Sequence, residues 1–467
     1  DTSGINYTKP ITNIGALAGL DEADLIIGTE ATKYTNSKYI QLSQEMIEPY
    51  NDMIRTSGIE TWSIYSGSLT WMATITQLPD FTIRNAYLAK VPYTVFASDK
   101  NTTRDTYNFL DGLEQRYGVE GLDTREKALF EKLNNIGNNE RILLLQAFDE
   151  MMGHQYANTQ QRINSTGRIL DKEFSYLKGE WQTASKESNK MKIFGSRDEY
   201  KTDTAGIIDY TSNAYGVAYV NENETIKLGN STGWYLGAVN NSFKFKDIGK
   251  SKEDSTMLKA GVYRTKAFDD NGSLQWTIAG EGFVTRSDMH RKFLVVDEIF
   301  NAESTYYTYG AAMKNEISKN FRASERFSIV PYGSLKLEYG RTGNIKEKVG
   351  EMRLEVKSND YFSVKPEVGV EFKYKQPMAV KTNLIASLGI AYENELGKVG
   401  DAKNKARVAY TEADWFNIRG EKEDRSGNFK ADFKLGIENT RCGVTFNAGY
   451  DTKGENIRGG IGLRAIF

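Results

Sequence analysis

The sequence predicts a mainly β protein: an antiparallel transmembrane barrel of about twelve strands with an α-helix threaded through its lumen, preceded by helices and a small β-rich end. Three observations predict it. From about Asn189 to Phe467 apolar and polar residues alternate one by one, as in a sheet with one greasy and one wet face. The strand candidates run about ten to sixteen residues, longer than globular strands and suited to a tilted membrane crossing. Before them lies a helical stretch too polar to pack in an apolar core.

The composition fits. The 467 residues are 39% hydrophobic and 12% aromatic, with 42 Gly and 7 Pro, and the mean hydropathy is -0.55. The sequence has no run of roughly 20 apolar residues, which a membrane helix needs. Sixty basic residues against 62 acidic ones give no charge-based reason for a nucleic-acid partner. One cysteine, Cys442, and two histidines, His154 and His290, exclude an internal disulfide and a Cys/His metal cage, and no cofactor is expected.

Along the chain, the first hundred residues hold four of the seven prolines and short β-like runs such as Leu25-Ile26-Ile27 and Trp71 to Ile75. From about Thr103 to Glu187 the spacing is helical: Leu145, Phe148, Met152 and Tyr156 are expected on one face, as are Leu170, Phe174 and Leu177. Between them Ala157 to Arg168 is polar almost all round, within a helix expected from about Ala157 to Lys172. It reads either as a solvated linker helix or as a helix in a polar channel. An apolar band about 25 Å tall takes roughly seventeen helical residues, which is about its length. Its candidate pore-facing residues are Asn158, Gln161, Arg162, Asn164, Ser165 and Arg168.

Strands are expected to start near Met191, Tyr210, Thr232, Thr256, Ser273, Thr305, Phe327, Phe362, Val380, Asn428, Arg441 and Asn456. Short connections at Asp269–Gly272, Lys375–Pro377 and Glu438–Thr440 fall on the periplasmic side if the first strand runs outward. The longest, Glu395 to Gly427, falls outside, which is the parity of bacterial barrels. On the wet phase of the strands, Glu367, Glu371, Asp432 and Glu438 are expected in the lumen as partners for Arg162, Arg168 and Lys172. A soluble sandwich also alternates, but strand length, aromatics near strand ends (Tyr339, Phe372, Tyr374, Tyr392, Tyr450) and the abrupt terminal strand favour the barrel.

At three places the chain resembles type V autotransporters. Gln146 to Ala157 resembles their pre-barrel segment, Pro331 to Tyr339 a mid-barrel strand, and Gly460 to Phe467 the terminal assembly signal. The resemblance implies an outer-membrane translocator that exports and displays its own N-terminal passenger. It implies residues 1–100 as the passenger's end, resembling adhesins of anaerobic Gram-negative bacteria and capping a β-solenoid. Residues 101–188 would be a helical linker and 189–467 the barrel. Ile461, Leu463, Ala465 and Phe467 alternate onto the lipid face, and by resemblance this strand is what the barrel assembly machinery recognises. Other implied partners are outer-membrane lipid and a ligand on a host cell or another bacterium.

A porin and a barrel lipase or protease are the alternatives. Ser-His chemistry needs a base beside a nucleophile, and neither histidine lies in such a setting, so no enzyme is expected. Asn134-Asn135 and Asn138-Asn139 read as an interhelical turn around Gly137.

Overall fold

The computed structural model describes residues 22–97, 104–119, 121–178, 187–224, 229–399, 404–418, 420 and 426–467. The alternating region forms β1 (Glu187–Tyr200), β2 (Tyr210–Glu224), β3 (Ser231–Phe245), β4 (Lys252–Ala267), β5 (Leu274–Val295) and β6 (Glu298–Lys319). It continues as β7 (Phe327–Thr342), β8 (Asn359–Ala379), β9 (Thr382–Glu393), β10 (Asn428–Asn439), β11 (Cys442–Asp451) and β12 (Asn456–Ile466). Each pairs antiparallel with the next, and β12 returns to β1 with Ile461 opposite Gly195. The barrel is closed, so its sheet has no free edge strand of the kind an open sheet would have.

Its surface is the inverse of a soluble protein's. Ile193, Leu236, Leu258, Val262, Ile317, Val368, Ile390, Phe433 and Val444 are exposed, whereas Lys190, Lys192, Asp198, Glu253, Lys259, Asp451 and Arg464 are buried inside. Charges avoid burial unless paired, and an apolar exterior belt needs hydrocarbon around it. Exposed Tyr339, Phe362, Tyr392, Phe429 and Tyr450 lie near strand ends, where interfacial girdles sit.

β1 and β4 begin four residues before the expected Met191 and Thr256, at Glu187 and Lys252, and two other boundaries differ more. β6 begins at Glu298 rather than Thr305, because β5 and β6 continue outward as a hairpin whose Phe293 and Phe300 are fully buried under other residues. Lys375–Pro377 stays within β8, and the chain turns at Val380–Lys381. Pro377 lies where the register shifts, a bulge that tolerates its missing N–H. The connection from β2 to β3, around Asn223 to Lys227, falls largely on residues outside the described ones.

Before the barrel, Glu22–Ile27 and Thr61–Ser66 pair in parallel, and Tyr39–Gln41, Ile83–Lys90 and Trp71–Gln77 form an antiparallel sheet. These strands are accompanied by α1 (Gln44–Ser57), which the reading of short β-like runs does not foresee because Pro49 sits in its interior. Asn51 ties α1 to the sheet: its Oδ1 accepts from the Ile83 N–H at 2.7 Å and its Nδ2 donates to the Ile83 carbonyl at 2.9 Å.

Helices α2 (Arg104–Arg116), α3 (Thr124–Asn134) and α4 (Arg141–Met151) follow. Phe109, Leu113, Phe130, Leu133 and Phe148 share one apolar core with Phe245, Phe293, Phe300 and Phe416 from the outward ends and loops of the barrel. The described residues between 22 and 151 thus form a cap on one mouth. Leu145 is exposed while Leu144 is buried in its place. Phe148, Met152 and Tyr156 are buried as spaced, although Gly153, at φ +80°, interrupts the helix.

Candidate functional site: a charged helix in the barrel lumen

From the mouth, α5 (Thr159–Leu177) enters the lumen. Its 19 residues span about 28 Å at 1.5 Å per residue, enough to cross the apolar band. Of the two readings of the polar stretch, the structure selects the channel. Twelve of the 19 residues are buried, including Thr159, Gln160, Arg162, Ser165, Thr166 and Glu173, which only a polar wall can satisfy.

The pairs run the length of the helix. Arg162 forms a two-pronged pair with Glu253 of β4 at 2.8 and 2.9 Å, and the same carboxylate accepts from the Tyr306 hydroxyl at 2.6 Å. Neither side of that pair is exposed by more than 1%. Deeper in, Arg168 pairs with Asp451 of β11 at 2.7 Å and Lys172 with Asp432 of β10. Charge of the other sign follows: Asp171 receives Lys259 at 2.6 Å and Lys336 at 2.7 Å, and Glu173 receives Lys192 at 2.6 Å. Phe174 packs on Tyr235, ring centroids 4.5 Å apart. At the helix end Lys190 Nζ donates to the Leu177 carbonyl at 2.9 Å, a cation where the helix dipole favours one.

The other proposed pore residues lie as follows. Asn158 Nδ2 donates to the Ile208 carbonyl at 3.2 Å and its Oδ1 accepts from Arg162. Gln161 accepts from the Tyr210 hydroxyl, and Ser165 donates to Asp198 at 3.4 Å. Asn164 lines a cavity of about 620 Å³ with Gln161, Arg168, Lys365, Glu393 and Asn428.

The expected wall partners divide. Asp432 meets the helix. Glu367 instead accepts from Lys430 at 2.7 Å and Tyr332 at 2.6 Å, Glu438 pairs with Arg464 at 2.8 Å, and Glu371 faces Lys373 at 3.4 Å. Arg162 and Arg168 therefore correct the expectation: their partners are Glu253 and Asp451. The helix lies closest to β1 to β4, and Lys430 of β10 bridges Glu367 of β8 and Glu393 of β9.

Above the helix, Arg291 of β5 holds the bend at Gly153. It pairs with Glu347 at 2.7 and 2.8 Å and donates to the Met352 carbonyl at 2.9 Å. Tyr156 donates to the same Glu347 at 2.9 Å. A Cβ added at Gly153 would stand 2.6 Å from Leu354 Cδ1, so both backbone angle and space require glycine. In the cap, burial pushes the Lys90 ammonium down to about 8, against the opposing pull of Glu114 at 2.6 Å.

His154 faces Asp149 at 3.1 Å, and His290 faces Glu303 at 3.2 Å on the outside of the β5–β6 hairpin. Ile461 and Leu463 are exposed on the outer face and Arg464 is buried inside. Ala465 is half-buried, and the exposed Phe467 follows β12, donating its N–H to the Asn189 carbonyl at 3.0 Å.

A family model described as "Autotransporter beta-domain" matches residues 190–451, more than half of the chain. No curated protein matches in sequence. Among solved structures the chain is similar to the translocator domain of the autotransporter NalP from Neisseria meningitidis, at 14% identity and a TM-score of 0.49, covering 66% of this chain and 98% of that one. It is also similar to the β domain of the Bordetella autotransporter BrkA (12% identity, TM-score 0.42, 60% and 99% covered). The transport unit of AIDA-I from Escherichia coli is a third (12%, 0.37, 64% and 98%). The match covers the strands of the closed barrel from β1 to β11, and the protein belongs to the autotransporter β-domain family of outer-membrane translocators, which export a passenger and display it on the cell surface.

Proposed function

We propose that residues 1–100 are the end of a secreted adhesin passenger, residues 101–188 its tether, and residues 189–467 the translocator that carried it across the outer membrane and now anchors it. The observation that carries this reading is the seating of α5. A helix whose charges are each matched by the wall is built to stay, so after export it plugs the channel and links the cap to the membrane. The cap at the mouth from which α5 enters agrees with a passenger end outside the cell. In this reading the chain is a transporter rather than an enzyme. Its terminal strand, through Ile461, Leu463, Ala465 and Phe467, presents the alternation that the barrel assembly machinery would take up by strand addition. The passenger's ligand lies on a host cell or a neighbouring bacterium.

Surface labelling of intact cells tests this. A membrane-impermeant amine reagent should modify exposed lysines before Ser98, such as Lys38, without permeabilisation. Labelling only after the outer membrane is breached contradicts the reading.

A further inference from the structure

We propose that the outer loops of the barrel are the surface on which the emerging cap folds, so that the mouth templates its own lid; this rests on the export reading above. The described parts of the connections β7–β8 and β9–β10 pack against the cap. Their segments Ile345–Gly350, Leu354–Val356, Lys405–Val408 and Phe416–Asn417 form a small sheet, paired Ile345 to Val356, Leu354 to Val408 and Ala406 to Phe416. Leu354, Val356, Ala406, Val408 and Phe416 are all buried, and α2 contributes to covering them.

The fit is specific. Phe109 meets Phe416 edge to face with centroids 5.6 Å apart. A Cβ on Gly112 would stand 2.6 Å from Val408 Cγ2, so helix and sheet approach as closely as a glycine allows. Side chains of α2 also satisfy loop backbone: Asp105 accepts from the Asn417 N–H at 2.8 Å, Asn108 donates to the Trp415 carbonyl at 2.9 Å, and Gln115 accepts from the Glu412 N–H at 2.8 Å. Neither partner is complete alone. Without α2 the loop sheet would expose apolar side chains and unpaired backbone groups, and a helix of 13 residues is marginal in water until its apolar face is covered. The barrel is anchored in the membrane and α2 arrives by export, so the loops are the half already in place.

The test follows newly made full-length protein on intact cells. Trypsin added at intervals measures how fast the displayed cap becomes resistant, a heat-resistant barrel band in detergent verifies the translocator, and the surface label verifies display. Phe416→Asp changes only the barrel loop. It should leave barrel and display intact and slow the acquisition of resistance by about tenfold or more, as loss of a contact formed early in folding does. Asp105→Ala with Asn108→Ala, which removes polar contacts from the α2 side, should slow it by a smaller factor. An unchanged time course for Phe416→Asp, within about twofold, overturns the template, even if the final resistance is lower. A cap that the label cannot reach in the unsubstituted protein overturns the export reading instead.

Discussion

Replacing Arg162 with alanine is expected to loosen α5 by about 3–5 kcal/mol, the cost of leaving one partner of a buried ion pair without the other. Glu253 would keep its carboxylate at 1% exposure with the Tyr306 hydroxyl but no cation from the helix. Hydrogen exchange of the α5 amides reads the loss directly, as protection that falls toward that of a freely opening segment. The double replacement Arg162→Ala with Glu253→Gln should recover a large part of it, because the stranded charge is then gone. Full protection in the single variant would mean that this pair does not seat the helix.

The second large effect lies on the other face of the same strand. Leu258 points outward from β4 and is 50% exposed in the isolated barrel, with Leu236 and Val284 exposed on the neighbouring strands. Leu258→Arg should cost about 2–4 kcal/mol of folding stability in a bilayer, measured by denaturant titration of barrel refolded into vesicles. Leu258→Ile should cost less than about 1.5 kcal/mol. The next residue, Lys259, is buried in the lumen although it is charged. That contrast between adjacent positions is what the membrane reading requires; equal tolerance of arginine at Leu258 would contradict a lipid-facing β4.

The strands were legible because a membrane barrel has two solvents, and a period-two pattern records both. Charge on one phase and grease on the other placed the start of β2, β7, β10 and β12 at Tyr210, Phe327, Asn428 and Asn456, where the structure has them. The same rule fails where the strand leaves the bilayer. The inward Phe300 and Ala302 pack into the core shared with the cap instead of facing a wet lumen, so the pattern that announces β6 begins only after them. Polarity showed that α5 needs wet surroundings, and left open whether these are solvent or a channel. It could not reveal which carboxylate each arginine meets, because that depends on the rotation of the helix and on which wall it leans against. Glu253 and Asp451 carry no sequence mark that separates them from Glu367 and Glu438. The inward phase of each strand names candidates, and only the placement of the helix in the lumen chooses among them. In the cap, Pro49 hid α1, and the long β9–β10 connection gave no sign of the short strands it contributes to the mouth.

The central claim is that α5, held by matched charges, closes a channel that once carried the passenger. Single-channel conductance in planar bilayers tests it most directly, comparing the full chain with one lacking residues 1–178. The account predicts a low conductance for the full chain and a several-fold larger one for the truncated barrel, whose lumen has lost its helix and cap. Equal conductance from the two, with both barrels folded, would contradict it.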